Sequence, residues 1–276
     1  MSVNDELGIR MKTYYEQIPQ TKLMRRTPVA IRIDGKAFHT FTKDFQKPFD
    51  EILVNTMQDT MKYLCKNIQG CVLGYTQSDE ITLILVDYKK LNSDAWFNYE
   101  VQKMCSIAAS MATMAFNHYF RENSADVRRH LNNAFAISYA EDKYLTALEK
   151  GLENAMFDAR CFNIPKEEVT NLLYWRQVDA ARNSVQMVAR AYFSHSECQD
   201  KNQSQLQEML FQKYGINWSD FPTHLKRGSC CVKKVSAATL EGEEIIRSYW
   251  EIDKAIPMFK GEGRNYVEQL IQSEEE

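Results

Sequence analysis

The sequence lacks the cysteine and glycine motifs that identify several common protein classes. No two of its seven cysteines have the C-x-x-C spacing of a zinc or redox site, and most of them lie within apolar runs. We therefore expect free thiols in a reducing compartment, without a disulfide framework or a structural zinc. The chain also has no P-loop and no G-x-S-x-G motif, so neither a P-loop nucleotide site nor a hydrolase nucleophile is indicated.

Long apolar runs are missing as well. No run approaches the roughly 20 residues that a membrane helix needs, so we expect no membrane partner. The start of the chain, MSVNDELGIR, is mixed in charge and has no apolar centre. We expect neither a signal peptide nor a transit peptide there, and therefore a cytoplasmic protein, with a mitochondrial location still open.

The composition is that of a globular protein with a large core. The chain has 276 residues, of which 44% are hydrophobic and 26% charged, and it shows no repeat or low-complexity tract. Its net charge of −3 argues against a surface that is basic throughout. Local patches of lysine and arginine are nevertheless sufficient for contact with nucleic-acid phosphates.

Apolar periodicity predicts the order β-α-β-β-α-β in the first part of the chain. The expected strands are 27–34, the two halves of 70–86 and 154–165, and the expected helices are 50–66 and 94–121. The polar segment 121–133 is expected at the surface. This order is that of a ferredoxin-like sheet, which also forms the palm of many polymerases and nucleotidyl cyclases.

Beyond Pro165 the pattern is mainly helical. A long helix follows this proline, a shorter one is expected at 203–213, and GSCCVKKV predicts one late strand. We therefore predict an α+β fold, with a ferredoxin-like polymerase palm at 1–165 whose antiparallel sheet carries helices on one face. A helical C-terminal extension at 166–276 is expected to pack on the palm without being an independent domain, because no linker separates the two parts.

Acidic residues stand at two strand ends that this topology brings together. Asp34-Gly35 ends the first strand, and Ser78-Asp79-Glu80 interrupts the hairpin GCVLGYTQSDEITLILV. Either motif alone is usually a solvated turn. Their convergence favours a site for two Mg²⁺ ions, because Mg²⁺ takes few protein oxygens and completes its coordination with water and phosphate.

The turn after the first strand is also suited to phosphates. Gly35 lets the backbone of the turn come close to phosphates, and the amides of residues 36–39 are expected to face phosphate oxygens. By spacing alone, Lys47 is a surface lysine and His39 a histidine under a loop. Phosphoryl transfer needs positioning and charge compensation more than a covalent nucleophile, so this pattern is sufficient for it.

Several segments together resemble the tRNA-histidine guanylyltransferase superfamily. They are RIDGKAFHTFTKDFQKPFD, YLCKN, YTQSDEIT, FDAR and YWRQVDAARNS, within a similarity that runs from about residue 5 to residue 235. The resemblance implies a polymerase-like palm that adds nucleotides to the 5′ end of tRNA in the 3′-to-5′ direction. It also implies activation by ATP or GTP, other nucleoside triphosphates as substrates, tRNA as partner, and a homo-tetramer.

Carried over position by position, the resemblance implies roles for individual residues. Asp34 and Asp79 would bind the two Mg²⁺ ions with help from the carbonyl of Gly35, and Glu80 would join the two aspartates as a catalytic residue. The residues that would contact the nucleotide are Arg32, Asp34, Gly35, Lys36, Ala37, Phe38, His39, Lys47, Ser78, Asp79 and Lys103. The family's long C-terminal helix is matched at Trp175, Arg176, Gln177 and Asp179.

Two departures distinguish this chain from the eukaryotic guanylyltransferases. Those enzymes carry His-Ile-Asn-Asn where this chain has ARNS at 181–184, so only Asn183 is retained. Near Lys103 they have basic residues where this chain has NYE at 98–100. Both changes resemble the guanylyltransferase-like branch, which repairs 5′-truncated tRNAs by copying the opposite strand.

Several functions remain open, and template-dependent 3′–5′ nucleotide addition in tRNA repair is the one we favour. A second is a guanylyltransferase that adds one G to histidine tRNA, and Ala181 and Ser184 count against it. A third is a nucleotidyl cyclase on the same palm, which would leave the Trp-Arg-Gln helix without a role. A non-catalytic RNA-binding module would not need the metal site.

Overall fold

One six-stranded antiparallel sheet forms the centre of the protein. The computed structural model describes residues 6–134, 136–240 and 243–273, apart from the side chains of 237–246. The strands are β1 (Val29–Gly35), β2 (Cys71–Gln77), β3 (Glu80–Leu85), β4 (Phe157–Asn163), β5 (Ser229–Leu240) and β6 (Glu243–Asp253). Their order across the sheet is β4-β1-β3-β2-β5-β6. The first four strands have the order of the ferredoxin-like palm, so that prediction is confirmed.

Helices connect the strands and cover both faces of the sheet. The longer ones are α3 (Glu51–Asn67), α4 (Val101–Asn133), α5 (Tyr139–Gly151), α6 (Lys166–Tyr192) and α8 (Gln203–Tyr214). The shorter ones are α1 (Glu6–Met11), α2 (Phe38–Phe41), α7 (His195–Cys198), α9 (Thr223–Arg227) and α10 (Asn265–Glu268). No helix in the described part of the chain is long and apolar enough to cross a membrane.

Each face of the sheet carries its own buried core. On one face, Ile33 of β1 belongs to a cluster with Met61 of α3 and Phe116 of α4. On the other face, Leu173 of α6 and Phe259 of the C-terminal segment lie in a second cluster with the alternate strand residues. Because neighbouring residues of a strand point to opposite faces, the two clusters divide each strand between them.

Local capping signals explain why several helices begin or end close to where the sequence predicted. Asp50 caps α3, and its carboxylate accepts a hydrogen bond of 2.9 Å from the amide of Leu53. A C-terminal signal is seen in α8, which ends at Gly215, whose φ of 67° is the left-handed conformation that terminates helices. Capping is a property of a few adjacent residues, so sequence alone reveals it.

The helix expected at 94–121 is displaced and longer. Residues 96–99 form a 3₁₀ turn, and α4 then runs from Val101 to Asn133. The polar segment 121–133 is therefore part of a helix, because Ser124 and Leu131 are buried on its inner side. The sequence pattern also misses α5, although Ser138 and Glu141 form a capping box at its start.

The C-terminal part is not purely helical, which corrects the expected helical extension. β5 pairs with β2 of the palm, for example at Leu73 and Val232, and β6 pairs with β5. The late strand GSCCVKKV is confirmed but extends to Leu240. β6 escaped prediction because part of it is solvent-exposed, at residues 247–249, and such a strand carries little apolar periodicity.

Candidate metal and nucleotide site

Asp34 and Asp79 converge at one end of the sheet. Asp34 is the penultimate residue of β1 and lies opposite Glu80 of β3. The amide of Gly35 donates a hydrogen bond of 3.1 Å to the carbonyl of Asp79. This bond joins the end of β1 to the tip of the β2–β3 hairpin, so the sequence prediction that the two acidic motifs meet is confirmed.

The hairpin tip is a two-residue turn made by Ser78 and Asp79. Gln77 and Glu80 form the last pair of the ladder, and Ser78 has a φ of 51°. That left-handed conformation is uncommon for a residue with a side chain. The hydroxyl of Thr76 donates to the carbonyl of Glu80 at 2.9 Å and closes the turn. The turn therefore holds Asp79 on a fixed backbone without the Asn-Gly or Asp-Gly pair of ordinary hairpins.

The carboxylates of Asp34 and Asp79 have no ion-pair partner in the described part of the chain. Burial holds the pKa of Asp34 above its ordinary value, and the charges of Asp79, Glu80 and Asp158 raise this pKa further. Burial also raises the pKa of Asp79, against a hydrogen bond from Ser78 that lowers it. Partly buried like charges without a counter-ion are stabilised by a cation.

This pair therefore fits a divalent metal. The chemistry of the donor set is that of Mg²⁺, which binds through one or two carboxylates and takes the remaining ligands from water and phosphate. The described residues contain no cluster of three or more His, Cys, Asp or Glu side chains that could hold a metal ion by itself. Asp34, Asp79 and the carbonyl of Gly35 remain the predicted ligands.

Glu80 has a different environment from its neighbour. Its carboxylate is buried, and one oxygen lies 2.7 Å from Nη2 of Arg32 while the other lies 2.8 Å from Nε of Arg176. Arg176 in turn contacts Asp179 at 3.0 Å. The family resemblance implies that Arg32 contacts the nucleotide, but in the structure its side chain is engaged by Glu80.

A cavity of about 440 Å³ opens beside Asp79. Its walls include Phe38, His39, Lys47, Asp50, Ser78, Met187 and Arg190. The volume lies within the range of small-molecule sites, and the lining combines an aromatic ring with cationic groups. Four residues predicted from the sequence to contact a nucleotide, besides Asp79, line this cavity: Phe38, His39, Lys47 and Ser78.

The turn after β1 agrees only in part with its predicted role. The amide of Lys36 donates to the carbonyl of Met156 at 2.9 Å, so this amide is not available to phosphates. Ala37 has a left-handed φ of 57°, and α2 begins directly after it. The amides in the first turn of a helix have no intrahelical partner, which leaves residues 37–39 as candidates. A Cβ atom at Gly35 would lie 2.3 Å from the Phe38 ring, so this position requires glycine.

Lys103 lies away from the cavity. It is in the first turn of α4, its side chain is 59% exposed, and its ammonium group lies 3.7 Å from Glu100. It is absent from the described cavity walls. Contact between Lys103 and a bound substrate stays a prediction.

The structure adds residues that the motifs did not identify. Asp158 of β4 lies directly opposite Asp34, and Asp50 and Arg190 line the cavity. The FDAR segment was the available signal for Asp158, because the predicted topology makes β4 a neighbour of β1. Arg190 lies near the end of α6, and only packing brings it to the site.

The segment 181–184 lies on α6 beside a smaller cavity of about 80 Å³. Asn183 lines this cavity together with Ser78. The Ser184 side chain is buried, donates to the carbonyl of Ala181 at 2.8 Å and accepts a hydrogen bond of 3.1 Å from the indole of Trp218. Ser184 is therefore a packing residue.

Comparisons with known proteins show which family this chain resembles. The family model described as tRNAHis guanylyltransferase matches residues 9–165. A solved structure of a bacterial tRNA(His) guanylyltransferase-like protein in complex with ATP is 39% identical, with a TM-score of 0.78, and covers 96% of this chain and 99% of that one. A complex of such a protein with GTP is 37% identical, with a TM-score of 0.74, and covers 97% and 99%. An uncharacterised protein of Acanthamoeba polyphaga mimivirus is 31% identical over 91% of this chain and 85% of its own length.

Proposed function

The chain belongs to the tRNA(His) guanylyltransferase family and is a nucleotidyltransferase, and from that premise we propose that it adds nucleotides to 5′-truncated tRNA in the 3′-to-5′ direction. The base added is chosen by pairing with the opposite strand, so the activity is a repair of the tRNA 5′ end. The substrates are tRNA and nucleoside triphosphates, with ATP or GTP activating the 5′ phosphate.

The environment of Ser184 is the observation that favours repair over guanylylation of histidine tRNA. The Ser184 hydroxyl is enclosed by Trp218, Ala181 and the carbonyl of Lys226, the last at 3.2 Å. The one hydrogen of this hydroxyl is engaged by carbonyls of the protein itself, so it is not free to donate to an RNA. The 39% identity to a bacterial guanylyltransferase-like protein over nearly the whole chain gives further support.

The chemistry of the site follows from the positions of its side chains. Mg²⁺ ions held by Asp34, Asp79 and the Gly35 carbonyl would neutralise the triphosphate and favour deprotonation of the attacking hydroxyl. The cavity beside Asp79 binds the nucleotide, with the Phe38 ring as an apolar wall and Arg190 as a cation for phosphates. This positioning brings the 3′-hydroxyl of the incoming triphosphate against the activated 5′ end, from which pyrophosphate or a nucleoside monophosphate departs.

Assembly and location complete the proposal. We infer a homo-tetramer from the family resemblance, and a cytoplasmic location, with a mitochondrial one as the alternative, from the free thiols that the cysteine pattern predicts. Light scattering on the purified protein tests the tetramer, and a monomeric mass at working concentration would contradict it.

A single assay distinguishes repair from its rivals. Labelled 5′-truncated tRNA is incubated with each nucleoside triphosphate singly, with and without Mg²⁺, and the added base is identified. We expect Mg²⁺-dependent addition only of the base complementary to the opposite strand. Preferred addition of one untemplated G to full-length histidine tRNA would instead favour the guanylyltransferase, and a cyclic product from the triphosphate alone would favour the cyclase.

A further inference from the structure

Three acidic residues lie side by side on the sheet face that α6 covers. In the register of the sheet, Asp34 of β1 is opposite Asp158 of β4 on one side and opposite Glu80 of β3 on the other. Paired residues of adjacent strands are close neighbours, so these carboxylates influence one another. The three differ in how their charge is compensated.

Charge compensation is smallest at the middle of this row and largest at Glu80. Asp34 has no ion-pair partner among the described residues, and Asp158 has one exposed contact of 3.3 Å with Arg160. Glu80 has two buried contacts, with Arg32 at 2.7 Å and Arg176 at 2.8 Å. Each oxygen of Glu80 is occupied by a different arginine, so this carboxylate has little capacity left for a metal.

Arg176 is itself held in place from three sides. Only 8% of its side chain is exposed, Nε contacts Glu80, and Nη2 contacts Asp179 at 3.0 Å. The guanidinium also lies 4.5 Å from the centre of the Trp175 ring, which lies 5.5 Å from the guanidinium of Arg32 as well. A planar group with five donors suits this arrangement, and an ammonium does not.

We propose that Arg176 is a positioning residue, which keeps Glu80 out of the metal-ligand set and offsets its charge beside Asp34 and Asp79. The inference rests on the proposed function in one respect, that these two aspartates hold the metal. Glu80 then acts through its neighbours. It fixes the start of β3, and with it Asp79, against α6.

The test compares variants of the full-length, metal-free protein in their binding of Mn²⁺, measured by titration calorimetry. Arg176→Met removes a positive charge and the ion-pair partner of one Glu80 oxygen, which keeps only a long hydrogen bond of 3.4 Å from the Thr82 hydroxyl. We expect Mn²⁺ to bind about tenfold more tightly, because the site gains a carboxylate ligand and loses a repelling cation. Adding Glu80→Gln to this variant should return the dissociation constant to within about twofold of wild type, because the extra ligand is removed.

One control variant and the direction of the effect separate positioning from a merely structural role. Arg129→Gln removes the same charge from an exposed ion pair on α4 and should leave Mn²⁺ binding unchanged. Structural damage at Arg176 would weaken Mn²⁺ binding rather than tighten it. Unchanged or weaker binding in Arg176→Met, or tighter binding that persists after Glu80→Gln, overturns the proposal.

The same variants are then assayed for nucleotide addition. We expect Arg176→Met to lose most of its kcat with little change in the KM for the triphosphate, and the double variant to recover part of it. If wild type adds no nucleotide, the proposed function fails while the Mn²⁺ titration still decides the role of Arg176.

If Arg176→Met does not fold, Arg176→Lys replaces it and should tighten Mn²⁺ binding by a smaller factor, because an ammonium keeps the charge but not the second bond.

Discussion

The acidic residues at the end of the sheet differ in whether a cationic side chain compensates their charge. Glu80 is neutralised by two arginines, whereas Asp34 and Asp79 have no ion-pair partner in the described part of the chain. Both aspartates are held on fixed backbone, one at the end of β1 and one in a two-residue turn. Their repulsion raises the free energy of the metal-free protein, and a bound cation removes that cost.

Asp34→Asn should abolish nucleotide addition and also stabilise the metal-free protein. Burial and the neighbouring acids hold the pKa of Asp34 above its ordinary value, so the folded protein disfavours the carboxylate. The stability that Asp34 contributes is therefore fully present below the pKa of the unfolded chain, about 3.9, and is lost as pH rises through the higher folded pKa. Above that window we expect the Tm of the metal-free variant to exceed that of wild type by about 2 °C or more, measured by calorimetry.

Mg²⁺ supplies a second measurement on the same variant. Saturating Mg²⁺ should raise the Tm of wild type more than that of Asp34→Asn, because the variant has lost a ligand. Asp126→Asn, at a carboxylate that is 91% exposed, is the matched control and should change neither quantity. Retained nucleotide addition in Asp34→Asn, or a Tm below wild type without metal, contradicts the metal assignment.

Among the elements, α6 connects the palm to the rest of the chain. Its first half buries Val169 and Leu173 against the sheet, and its second half packs on α8 through Val188. Between these two contacts, Arg176 contacts Glu80 at the start of β3. One helix therefore both covers the sheet and fixes the position of the candidate metal site.

Leu173→Ala tests the contribution of this packing. The Leu173 side chain is fully buried in the core between α6 and the sheet, and truncation leaves a cavity as well as losing apolar contact. We expect the free energy of unfolding in urea to fall by about 2–5 kcal/mol. Val178→Ala on the same helix, where the side chain is 44% exposed, should cost less than about 1 kcal/mol. Equal, small losses in both variants would show that α6 is not packed as described.

For the molecule as a whole, the shared sheet argues for one cooperative unit. β5 from the C-terminal part hydrogen-bonds to β2 of the palm, and the second core combines residues of both parts, such as Tyr75 and Phe259. The predicted boundary at residue 165 therefore divides the chain in sequence only, because the packing is continuous across it.

Unfolding experiments test this unity. We expect the full chain to melt in a single transition, with calorimetric and van't Hoff enthalpies that agree. The fragment 1–165 loses α6 and β5, so it should bind an apolar dye and show no cooperative transition. A fragment 1–165 that melts cooperatively, or two separate transitions in the full chain, would identify the palm as an independent domain.

The parts of the site that sequence could predict are those encoded locally. Asp34 and Gly35 end a strand, Ser78 and Asp79 occupy a break in a hairpin, and the order of the strands brings these motifs together. Arg190 carries no local signal, since it reaches the cavity only through the path of α6. The amide of Lys36 was misjudged because its partner, the carbonyl of Met156, lies in a segment distant in sequence.

The sequence by itself determined the order of the palm strands, the cap of α3 and the presence of two acidic motifs at neighbouring strand ends. These features depend on periodicity and capping, which act over a few adjacent residues. Only the tertiary structure decided which acids are compensated, because Arg176 and Glu80 are 96 positions apart and meet through the packing of α6. It also decided that the C-terminal part extends the sheet, since strand pairing is fixed by a partner strand and not by the strand's own sequence.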